Sequence, residues 1–152
     1  MTTKKKISIK NITIGKNVTI IEPVNLYNCK IGDNCFIGPF VEIQSNVIIG
    51  KNTRIQSHSF ICEKVKIGNN CFIGHGVNFV NDKFLHNKTI KDKEQFLKTK
   101  IGNSVLIGSN STILPINIED NVVIGAGSVV TKNCTKKGLY FGNPAKLKSK
   151  QS

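Results

Sequence analysis

An apolar residue recurs every six positions along most of the chain. Ile31, Ile37, Ile43, Ile49, Ile55, Ile61, Ile67, Ile73 and Phe79 stand nine in a row at this spacing. Four residues after each comes a small or branched side chain: Cys35, Val41, Val47, Thr53, Ser59, Val65, Cys71 and Val77 for the first eight. Glycine often follows the apolar residue directly, as in Ile31-Gly32, Ile49-Gly50 and Ile73-Gly74. The pattern returns at Ile101, Ile107 and Ile113, and at Ile118, Ile124 and Val130. It also precedes the main run, at Ile14, Ile20 and Leu26. A period of six matches neither the 3.6 of a helix nor the plain alternation of a half-buried strand. It matches a short strand followed by a corner, repeated. Three such hexads close one turn of a prism, and stacked turns pair as parallel strands about 4.8 Å apart.

The register groups the hexads in threes: 14, 20, 26; 31, 37, 43; 49, 55, 61; 67, 73, 79; 101, 107, 113; 118, 124, 130. The shortened steps from 26 to 31 and from 113 to 118 fall between triplets, as does the long insertion between 79 and 101. Irregularity confined to one corner is what a three-sided column predicts. The expected fold is therefore all-β: a parallel β-helix of about six three-sided coils, over 12–80 and 101–134. A loop extrudes at 81–100 and a short tail runs over 135–152, all within one domain, 1–152.

A prism also predicts columns. At the corner after the second hexad of each triplet, the chain places Ser57 and His58, then His75 and Gly76, then Ser109 and Asn110, then Ala126 and Gly127. Two histidines thus stack about one coil apart on a single edge, with a polar and then glycine-rich strip beyond them. Imidazole can take a proton near neutral pH or orient an amine. A strip of small residues exposes backbone to a thin extended ligand.

Composition narrows the partners. With 22 Lys+Arg against 9 Asp+Glu, the net charge is +13. That balance suits an anion, yet Arg54 is the single arginine. Bidentate base readout favours arginine, so nucleic acid is not the expected partner. No apolar run is long enough to span a membrane, so no membrane insertion is expected. The basic opening Met1–Ile7 is followed by no apolar stretch, so a secretory signal is not expected. The five cysteines are odd in number and contain no C-x-x-C, which points to a reduced, cytoplasmic protein. The three histidines are not spaced as a metal cluster, and no metal is expected.

The dense hexapeptide repeat resembles that of the left-handed parallel β-helix acyltransferases. The resemblance covers residues 12 to about 148 and implies the left hand. The closing segment Gly142-Asn143-Pro144-Ala145-Lys146 resembles the family's G-x-P-A-K element. Ile55-Gln56-Ser57-His58, followed by Phe79-Val80-Asn81-Asp82 before the insertion, resembles the enzymes that acetylate the 3-amino group of nucleotide-linked amino sugars. That likeness implies acetyl-CoA as co-substrate and a homotrimer with clefts between subunits. It implies a dTDP-3-amino-3,6-dideoxyhexose as acceptor, with a UDP-3-amino-uronic acid as the alternative, in surface glycan (lipopolysaccharide) biosynthesis. Carried over by position, His58 and His75 would be catalytic or orient the amine. Gln56, Asn81 and Asp82 would contact the sugar. Ser109, Asn110, Gly125, Ala126, Gly127, Lys132, Asn143, Pro144 and Lys146 would hold coenzyme A. The chain departs from these relatives where several carry Asn at His58 and many carry Thr at Val80. An O-acetyltransferase or xenobiotic acetyltransferase of the same fold is the rival enzyme. A polyanion-binding β-helix without activity is the rival of another class.

Overall fold

A computed structural model describes residues 1–149. Its strands sort into three parallel sheets of six, eight and seven strands, each drawing one hexad from every turn. The first face stacks Ile14, Ile31, Ile49, Ile67, Ile101 and Ile118. The second stacks Ile20, Ile37, Ile55, Ile73, Ile107 and Ile124. The third stacks Leu26, Ile43, Ile61, Phe79, Ile113 and Val130. Every triplet read from the sequence is one turn of a left-handed parallel β-helix.

The physical reason is burial. From Leu26 onward the hexad residues and the small residues four positions later fill one continuous core. Sealing an aliphatic side chain of this size from water contributes roughly 1.5–3 kcal/mol. The first coil is less covered, and Ile14 stays exposed. Serine and threonine at the small position are buried without penalty because each hydroxyl reaches a backbone carbonyl, of the next turn or of its own. Thr53 Oγ1 donates to the Gly68 carbonyl at 2.9 Å, and Ser59 Oγ donates to the Gly74 carbonyl at 2.8 Å.

The column extends past the expected ends. Ile9–Lys10 adds a strand to the third face, pairing Ile9 with Leu26. Beyond the expected end of the coils, Gly138–Gly142 continues the second face in parallel and folds back as an antiparallel hairpin with Ala145–Ser149. The hairpin covers the outer edge of that sheet. The last three residues of the expected tail, 150–152, lie outside the described residues. The extruded loop contains two short 3-10 turns, Leu85–Asn87 and Lys93–Gln95, and re-enters the first face at Thr99 rather than at Ile101.

Candidate functional site

At the corner after the second face, backbone hydrogen bonds run from turn to turn. The N–H groups of Phe40, His58, Gly76, Asn110 and Gly127 donate to the carbonyls of Pro23, Pro39, Ser57, His75 and Ser109, at 2.7–3.1 Å. This ladder places His58 and His75 on one edge, as the register requires. All five donors have left-handed backbone, with φ of 61, 63, 63, 58 and 69° in chain order. Glycine adopts this conformation freely and asparagine tolerates it. A bulky side chain there costs roughly 1–2 kcal/mol.

Phe40 and His58 carry that cost and stack on each other, with ring centroids 4.9 Å apart and planes inclined by 30°. Both are exposed. Gly76 follows and presents no side chain, so a notch opens between His58 and Asn110. A Cβ at Gly76 would lie 2.6 Å from Asn110 Oδ1, which forms the far wall. His75 flanks the notch and is exposed; its N–H donates to Ser109 Oγ at 3.2 Å. Beneath it Gly74 permits close contact between turns, since a Cβ there would lie 2.7 Å from the Ser109 nitrogen.

The corner after the first face is built differently. Its left-handed positions are Asn17, Asn34, Asn52, Asn70, Ser104 and Asn121. The first four form a side-chain ladder, each amide donating to the next carbonyl oxygen at 3.1–3.2 Å. One position earlier, Asp33, Asn69, Asn103 and Asp120 accept backbone N–H groups from the preceding turn at 2.7–2.9 Å. The Lys16 N–H and the Lys51 ammonium, 3.0 Å away, hold the half-buried Asp33 carboxyl below the usual carboxylate range. This corner satisfies itself and presents no open group like His58.

The expected site residues divide between two corners and the terminal hairpin. Gln56, His58, His75, Ser109, Asn110, Gly125, Ala126 and Gly127 share the corner after the second face. Asn81, Asp82 and Lys132 sit after the third face, across one side of the prism, so a single chain does not bring them to the histidines. Both Asp82 oxygens accept backbone N–H groups, from Phe84 at 2.8 Å and Ile90 at 2.7 Å. Asp82 therefore closes the base of the loop, helped by Asn81, whose carbonyl accepts the Leu97 N–H at 3.1 Å. Gly125 is likewise engaged internally. Its N–H donates to the Tyr140 carbonyl at 2.8 Å, and its own carbonyl accepts Ser111 and Ser128 hydroxyls. Ala126 and Gly127 are exposed; the Gly127 N–H serves the Ser109 carbonyl, and among the described residues no turn-to-turn bond claims the Ala126 N–H or the Gly127 carbonyl. A Cβ at Gly127 would meet nothing within 4 Å. Asn143, Pro144 and Lys146 lie exposed at and beside the hairpin turn.

Two contacts had no counterpart in the sequence reading. Glu63 is almost wholly buried, with its side chain 5% exposed, and it holds Lys93 of the loop at 2.8 Å. Lys64 Nζ reaches the Glu94 carbonyl, also at 2.8 Å. No repeat encodes the path of the loop, so these contacts leave no periodic signal. The asparagine ladder, by contrast, is visible as an asparagine three residues after most first-face isoleucines. The five free cysteines are all buried. Burial pushes the Cys62 thiol up to about 12 and those of Cys29 and Cys134 to about 11, so these three stay protonated and unreactive. Among the described residues no three His, Cys, Asp or Glu side chains are grouped to hold a metal ion. Among the described residues no helix is long and apolar enough to cross a membrane.

Comparison with known proteins agrees with this architecture. A model of the bacterial transferase hexapeptide (six repeats) matches residues 28–63. A model of the hexapeptide repeat of succinyl-transferase matches residues 64–77 and 98–132. Together they cover more than half of the chain. The bifunctional protein GlmU of Buchnera aphidicola subsp. Acyrthosiphon pisum (strain Tuc7) is 33% identical over 143 residues, 88% of this chain and 31% of that protein. The chain thus spans about a third of the length of the curated relatives it matches. Among solved structures, a point mutant of AntD, an N-acyltransferase from Bacillus cereus in complex with dTDP and coenzyme A, superposes with a TM-score of 0.82. It is 23% identical, over 92% of this chain and 84% of that one. A maltose O-acetyltransferase from Clostridium difficile 630 gives 0.62 at 25% identity, over 92% and 70%. With its repeats matched and each one seated as a face of the same left-handed column, the chain belongs to the hexapeptide-repeat transferase family.

Proposed function

We propose that the chain is an acetyl-CoA-dependent N-acetyltransferase acting on the 3-amino group of a nucleotide-linked amino sugar, a dTDP-3-amino-3,6-dideoxyhexose in preference to a UDP-3-amino-uronic acid. The reading places it in the cytoplasm, in surface glycan biosynthesis. One observation carries it: where the corner after the first face holds mostly asparagine in left-handed backbone, the corner after the second holds Phe40, His58, Gly76, Asn110 and Gly127, with His75 alongside. Left-handed Phe and His backbone costs stability, and such cost gathers at functional sites.

The residues suit acetyl-CoA. Ala126 and Gly127 are exposed and without bulk, and the space over Gly127 is open to a thin chain bearing amides. Lys132, Lys136, Lys137 and Lys146 are exposed near that end of the column and match phosphate charge. When bound, the co-substrate supplies an acyl group activated as a thioester. His58 orients the acceptor amine in the notch over Gly76 and takes its proton, or His75 does so from the adjoining turn. Because the Asn110 N–H already serves His75, the Ser109 N–H is the corner donor left to an oxygen that gains negative charge. Holding both reactants along one edge contributes further, by removing the cost of bringing them together.

Homotrimer formation belongs to the same proposal. Asn81, Asp82 and Lys132 stand one corner away from the histidines, and a neighbouring subunit can bring the two corners together. Phe72 and Leu106 stack in register on the outside of the second face, 36% and 46% exposed, as suits contact with another copy. A second reading, acetylation of a hydroxyl, draws on the likeness to the maltose O-acetyltransferase. The deciding experiment measures coenzyme A release against dTDP- and UDP-linked 3-amino sugars and against maltose. Turnover with a nucleotide-linked amino sugar is expected. Turnover confined to maltose, or none with any acceptor, would overturn the reading.

A further inference from the structure

A cavity of about 840 Å³ opens at the N-terminal end of the column, away from the histidine corner. Lys5, Lys6, Lys10 and Lys93 line it, with Tyr27 and Asn28 among the other lining residues. It forms because Lys10 pairs in register with Tyr27 at the corner after the third face, while the extruded loop reaches back along that corner as far as Lys93.

Its charge is only partly neutralised, through Lys93. Among the described residues, Lys93 is paired with Glu63 and Lys51 with Asp33, while Lys5, Lys6 and Lys10 have no carboxylate partner. The other acid of this corner, Glu42, is occupied by the side-chain amides of Asn25 at 3.2 Å and Gln44 at 2.9 Å. Burial, and then the charges of Glu42 and Glu63, raise the Tyr27 hydroxyl above its ordinary value, so it keeps its proton as a donor. The volume lies within the roughly 300–1,000 Å³ of small-molecule sites. Three unpaired ammonium groups in a concavity suit a compact anion of several charges, since lysine grips phosphate as a point charge without the fixed fork of arginine. A duplex needs an extended surface.

We infer that this cavity is a binding site for a diphosphate-bearing small molecule, separate from the corner where His58 and His75 stand. The diphosphate is either inorganic or the end of a nucleotide. Binding there requires neither substrate of the proposed reaction, so it stands or falls independently of acetyl transfer.

The test is calorimetric titration of the full chain with inorganic pyrophosphate, repeated with the K5Q/K6Q/K10Q variant and with Y27F. The melting temperature of each unliganded protein serves as the control for folding. Loss of three exposed ion contacts is expected to raise Kd about tenfold or more. Y27F is expected to weaken binding less, and added salt to weaken binding to the unmodified chain. Competition by dTDP would identify a nucleotide as the source of the diphosphate, and its absence the inorganic ion. No saturable binding of pyrophosphate, or equal affinity in the triple variant, overturns the inference.

Discussion

Two corners of the same prism use one backbone conformation for opposite ends. After the first face, left-handed positions carry asparagines that bond one another up the column. After the second face, the same φ is imposed on Phe40 and His58, with glycines at two of the remaining turns. Asparagine reaches its own neighbours and closes the ladder to outside partners. Phenylalanine and histidine make a stacked pair, and the glycine beneath them leaves a hole. A repeat fold can thus hold a site without changing its backbone, by withdrawing the self-satisfying side chain at one edge.

The sharpest way to break this comparison is to remove the imidazole. H58A should lower kcat about 100-fold or more, as loss of a proton-transferring group does, with little change in melting temperature. A near-normal kcat would pass the proton-taking role to His75, and a near-normal kcat in H58A/H75A would return the corner to a purely structural role. Next in size is G74A. Its Cβ would press on the Ser109 nitrogen at 2.7 Å and the Ile107 carbonyl at 2.8 Å, and neither can move without shifting a turn. Overpacking of this kind destabilises by roughly 1–3 kcal/mol, read by chemical denaturation.

N52A probes the opposite corner. It breaks two amide contacts and leaves a left-handed residue without its local hydrogen bonds. A stability loss of about 1–2 kcal/mol with unchanged kcat is expected. Reduced kcat at normal stability would erase the distinction between the corners. K93M should lower the denaturation midpoint by less than N52A does. It strands the buried Glu63 carboxylate, but Lys93 itself is 69% exposed, so water screens the pair. The double variant E63Q/K93M should recover part of that loss.

The smallest effect concerns acid. Asp33 titrates lower in the folded chain than in the unfolded one. Its contribution to stability is therefore present above about pH 4 and is lost as pH falls through the folded value. D33N should flatten the acid limb of the stability profile and leave the profile near pH 7 with the same slope.

Much of this was legible from spacing. Hexads from Ile14 to Val130 specify which residues share a face, because each must point inward or expose an aliphatic chain to water. Column membership of His58, His75, Ser109 and Gly127 follows by counting. The role of Asp82 does not follow. Its carboxylate accepts the Phe84 and Ile90 N–H groups, a geometry set by how the loop turns. Gly125 is similar: nothing local foretells that Tyr140 would return to take its N–H. The hairpin over 138–149 carries no hexad, so the sixfold period is silent about it.

Periodicity alone determined the column, its three faces and the order of side chains along each edge, because burial of a regularly spaced apolar set admits one register. Tertiary structure decided which of those edge residues remain open. A hydrogen-bonding group is available only if no neighbour from a distant turn, the loop or the terminal hairpin has claimed it, and such neighbours lie outside the repeat.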